Sequence, residues 1–145
     1  MNNVDETLNS ILIQVYRSLL QYAGECWPWA AASDTAVEQA VRTMAEEERT
    51  LAGRIFAHLD ARGWPIDLGG YPDNSSLHYV SLTFLLQRLV ADHQRLVTEL
   101  NTAASGLSAD LDAARLVADV AAVARRNLEH LRKLTGAKER REVAA

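Results

Sequence analysis

The sequence predicts an all-α protein, a four-helix bundle with a long connection between its second and third helices. Three observations carry that expectation. Apolar residues recur every three or four positions in four long stretches, turn-forming residues collect between those stretches, and no segment alternates with the period of a strand.

The first helix is expected over about 5–27, where Val4, Leu8, Ile11, Val15, Leu19, Tyr22 and Cys26 keep helical spacing. Pro28 ends it, because the residue before a proline avoids the α region. The second runs over about 34–62 through Val37, Val41, Met44, Leu51, Ile55 and Leu59, and stops at Gly63. The third starts after Asn74, Ser75 and Ser76 and spans about 77–101. The fourth spans about 109–134, with Ser108 as its cap and Gly136 beyond its end.

Apolar faces of this kind are buried best against one another, as a bundle. The first and third breaks are short, so each flanking pair should be antiparallel. The middle break is 14 residues, Gly63 to Ser76. Extended at ~3.3 Å per residue, it reaches about 46 Å. A helix of about 29 residues is about 43 Å long. The connection can therefore run the length of the bundle and return the chain to the end where the second helix began.

Length and composition narrow the function classes. The 145 residues form a single expected domain, 1–145, with 48% hydrophobic and 23% charged residues, ordinary values for a globular chain. A net charge of −4 supplies no basic field, so nucleic acid is not an expected partner. No apolar run approaches the roughly 18 residues of a membrane span. The first ten residues lack a basic and then apolar leader, which makes the cytoplasm the expected location. Cys26 is the only cysteine, which rules out an internal disulfide or a thiolate metal cluster, and no histidine lies near it to activate it as a nucleophile. "LGGY" (68–71) reads as a turn rather than a phosphate loop, and the tail "KERRE" (138–142) as a frayed end. Trp27, Trp29 and Trp64 are expected to cap the ends of the core, or to form an exposed patch for a second copy; a homodimer is expected.

The informative residues are polar ones in apolar company. Among Glu46, Glu47 and Glu48, only Glu48 has Val41, Met44, Leu51 and Ile55 at helical offsets, so it alone occupies the centre of the apolar face. His93 stands amid Leu82, Leu86, Leu89, Leu96, Val97 and Leu100 by the same count. Asn127 lies among Leu116, Val120, Val123, Leu131 and Leu134, with His130 one turn on at its flank. Glu48 and His93 fall near the midpoints of their helices and should share one layer. A lone buried carboxylate is costly, so these groups are expected to meet. Tyr22 faces the core and is a candidate to add its hydroxyl. His58 and His78 have no ligand spacing.

The layout resembles the ferritin-like superfamily in its bacterioferritin and rubrerythrin style. That resemblance implies a carboxylate-bridged di-metal centre built from a Glu on helix one, Glu-x-x-His on helix two, Glu on helix three and Glu-x-x-His on helix four. Glu48 and His130 match the pattern. Leu51 stands where helix two should supply its histidine, His93 where a Glu is expected, Asn127 where the last helix should have its acid, and helix one offers Val15 or Leu19. One metal sphere is thus emptied, leaving Glu48, His93, Asn127 and His130 around the other. The resemblance implies a degenerate centre holding one Fe or Zn ion at most. The alternative, equally open, is no metal at all: a scaffold or interaction module whose core Glu, His and Asn form a structural hydrogen-bond cluster.

Overall fold

A computed structural model describes residues 3–27 and 32–144. The chain is all-helical, with no strand among the described residues. Helix α1 spans Asn3–Tyr16, α2 Leu19–Glu25, α3 Thr35–Ala61, α4 Leu82–Ser105 and α5 Leu111–Ala144. Short 3-10 turns at Ala32–Asp34 and Ser75–Tyr79 precede α3 and α4. No described helix is long and apolar enough to cross a membrane.

The expected first helix is two helices. Arg17 and Ser18 interrupt it, with Ser18 extended (φ −67°, ψ 156°) and its hydroxyl oxygen accepting from Gln21 N at 3.2 Å. The Asp92 carboxylate of α4 accepts from Leu19 N at 3.1 Å, so a side chain from another helix satisfies a second amide freed by the break. Helix α3 ends as expected. Gly63 is left-handed (φ +73°), Gly63 N donates to Asp60 O and Trp64 N to Leu59 O, the two bonds of a Schellman stop.

The crossover then follows α1 and α2 in register. Asn9 brackets Asp67 with two hydrogen bonds (2.9 and 3.1 Å), Arg17 stacks on Tyr71, and Tyr22 Oη meets His78 Nε2 at 2.5 Å. Rising numbers in the connection meet rising numbers in α1 and α2, so it runs lengthwise. Gly69 takes φ +64° where the connection passes Ile13. Alternate residues Trp64, Ile66 and Leu68 pack on the core.

Pairings across the helices set their directions. Arg54 with Asp119 and Asp34 with Lys138 make α3 and α5 antiparallel. Gln87 with Glu139 and Asn101 with Arg125 do the same for α4 and α5. Helices α3 and α4 are therefore parallel, joined by the lengthwise connection.

Two further boundaries depart from expectation. Helix α4 begins at Leu82, capped by the Ser81 hydroxyl, because residues 75–79 wind as a 3-10 turn. Helix α5 is capped by Asp110, whose carboxylate accepts from Ala113 N, rather than by Ser108. It also continues through Gly136 to Ala144, since its last turns are docked: Lys138 pairs with the buried Asp34, Glu139 with Gln87, and Glu142 with Thr83. The tail expected to fray is helical. Pro28 and Trp29 lie outside the described residues.

The core falls into two apolar clusters. One gathers Leu8, Leu12 and Val15 of α1, Ala52, Ile55 and Leu59 of α3, Leu96 and Leu100 of α4, and Val117 to Leu128 of α5. The other gathers Leu19, Leu20 and Ala23 of α2, Val37 to Ala45 of α3, Leu82 to Leu89 of α4, and Leu131 of α5. Trp64 packs on the first and Trp27 on the second, so they cap opposite ends. The boundary between clusters falls at the Arg17–Ser18 break, at Glu48 and at His93, and on α5 between Leu128 and Leu131, one residue past Asn127.

Candidate functional site

That boundary is a polar layer inside an apolar interior. Glu48 arrives from α3 because its helical offsets place it between Met44 and Ala45 on one side and Ala52 on the other, all buried. His93 arrives from α4 between Leu89 and Leu96 by the same geometry. Glu48 and His93 are 0% exposed and Asn127 2%. Glu46 is exposed, and Glu47 pairs at the surface with Arg126, so one carboxylate of the three enters the core.

The three side chains are bonded to one another. His93 Nε2 and Glu48 Oε2 are hydrogen-bonded at 2.6 Å, and Asn127 Nδ2 donates to the same Glu48 oxygen at 2.8 Å. A single carboxylate oxygen thus ties α3 to both α4 and α5. Hydrogen bonds out of water are electrostatically stronger than those exposed to it. The other side of each partner is bare: Glu48 Oε1 and His93 Nδ1 are buried with no hydrogen-bond partner.

The remaining sequence candidates lie elsewhere. His130 is exposed, in a surface groove with Glu129 and Lys133, because three residues along a helix from Asn127 turn it roughly 60° off the inward direction. The expected four-residue set is therefore three. Tyr22 gives its hydroxyl to His78 on the crossover and not to the layer. Leu51 is half-buried, and Val15 and Leu19 are apolar and buried. Among the described residues, no three His, Cys, Asp or Glu side chains are grouped as a metal ion requires.

No protein family, characterised protein or solved structure matches the chain.

Sequence reasoning missed two residues that shape this level. Asp92, next to His93, faces outward and caps α2, and Ser18 breaks the first helix beside it. Only Ser18 carried a signal, as a capping residue inside a helical run.

Proposed function

We propose that this chain is a ferritin-like helical bundle whose metal centre is reduced to a hydrogen-bonded Glu–His–Asn layer, and that it works as a non-catalytic scaffold or interaction module, paired with a second copy. The lengthwise connection between the parallel α3 and α4 supports the topology. The observation that carries the reading is that Glu48 Oε2 receives both His93 Nε2 and Asn127 Nδ2. The groups that would face a metal instead face each other.

A carboxylate-bridged metal pair does not fit this donor set. Bridging needs several acids around two ions, and the layer contains one carboxylate. Buried polar layers of this type serve register, since a helix that slides leaves a polar group unpaired in an apolar core.

A second reading is favoured by the bare Glu48 Oε1 and His93 Nδ1. Unsatisfied buried atoms are what an ion or a water would occupy. One Fe or Zn ion held by Glu48, His93 and a turned Asn127 amide is that alternative.

Elemental analysis of protein purified without chelators separates the two. The structural layer gives far less than one equivalent of any transition metal. One equivalent of iron or zinc, lost in Glu48→Ala, overturns it in favour of the single-ion centre.

A further inference from the structure

Outside the polar layer, at the same level of the bundle, three arginines line one groove of about 390 Å³. Arg17 comes from the α1–α2 break, and Arg88 and Arg95 from α4. Arg88 and Arg95 are seven residues apart, which stacks them on one face of α4 with Asp92 between. The crossover closes the opposite wall with Pro72 and Asn74. Leu19 and Ala91 complete an apolar side.

The charges of this groove are only partly answered. Asp92 is engaged twice, by Leu19 N and by Arg95, and Arg95 also pairs with Glu99. Among the described residues no acid pairs with Arg17 or Arg88. Arg17 is instead laid over the Tyr71 ring, with its Cζ 3.7 Å from the centroid. A guanidinium this close to an aromatic face is held there by cation–π attraction and is left without a countercharge among the described residues. Its Nε is buried with no hydrogen-bond partner, so only its terminal nitrogens are left for a groove ligand.

We propose that this groove binds a small phosphate-bearing molecule. Phosphate oxygens match the planar fork of arginine two at a time, which favours such an anion over a point contact. The volume is that of a small-ligand site. Its apolar wall suits the organic part of a phosphate ester. None of this depends on the fate of the core layer, because every residue invoked lies outside it.

Calorimetric titration of the full chain with pyrophosphate tests the assignment. The expected result is saturable one-to-one binding that weakens with added salt. Arg88→Gln and Arg17→Gln should each weaken it by about tenfold or more, equivalent to ~1.4 kcal/mol per tenfold step. Arg42→Gln, on a surface pair with Glu38 away from the groove, should leave it unchanged. Arg88 is exposed, so its variant tests the site even where Arg17→Gln impairs folding. Absence of saturable binding at millimolar pyrophosphate overturns the proposal, as does equal binding by Arg88→Gln. Equal affinity for citrate, or preferential binding to phosphatidylglycerol vesicles, also overturns it, in favour of a general anion groove or a lipid surface.

Discussion

Replacing His93 alone by leucine should lower unfolding stability by about 1–3 kcal/mol, the usual cost of leaving a buried hydrogen-bonding group without its partner. Glu48 would keep its bond from Asn127 but lose its bond to His93, at a position with no access to water. Replacing Glu48, His93 and Asn127 together by leucine or methionine should behave oppositely. With every polar member gone, no desolvated group is left unpaired, and substitutions of this kind are often neutral or stabilising by about 1–4 kcal/mol. Urea unfolding of the two variants and the parent reads both effects. The ordering expected is triple variant at or above parent, and single variant well below both. A single variant as stable as the parent would mean that the pair contributes nothing.

Gly24→Ala should cost about 1–3 kcal/mol, the range for inserting a methyl into a packed contact. A β-carbon at Gly24 would lie 2.8 Å from the Ala45 β-carbon of α3, closer than two carbons approach. The helices cannot easily part there, because Gln21 Nε2 donates to Ala45 O at 2.6 Å, one turn before Gly24. Ala45→Gly makes room, at about 1 kcal/mol for a glycine inside a helix. A double-mutant cycle on unfolding free energies should therefore show positive coupling, the pair costing less than the sum of the singles. Strict additivity would place the strain elsewhere.

Much of the site was legible because phase along a helix is a strong signal. Glu48, His93 and Asn127 each sit at offsets of three, four and seven from apolar residues, and each points inward. His130 was harder, since a residue at the edge of an apolar face is turned in or out by small rotations that sequence does not specify. The break at Arg17–Ser18 escaped notice because Val15 and Leu19 remain in phase across it; the capping oxygens of Ser18 and Asp92 decide it, and Asp92 is 73 positions from Leu19. The extension of α5 was hidden by Gly136, whose stop signal is outweighed by tertiary partners at Asp34, Thr83 and Gln87. The arginine groove draws on α1, the crossover and α4, and no local pattern joins them.

The layer itself is most directly observed through its imidazole. The chain has four histidines, and among them only His93 is fully buried. Long-range proton–nitrogen correlation spectra of protein labelled at histidine should show a His93 ring N–H protected from exchange, assigned by its loss in His93→Leu and shifted in Asn127→Leu. Rapid exchange at all four rings would place His93 in contact with solvent and contradict a buried Glu48–His93–Asn127 layer.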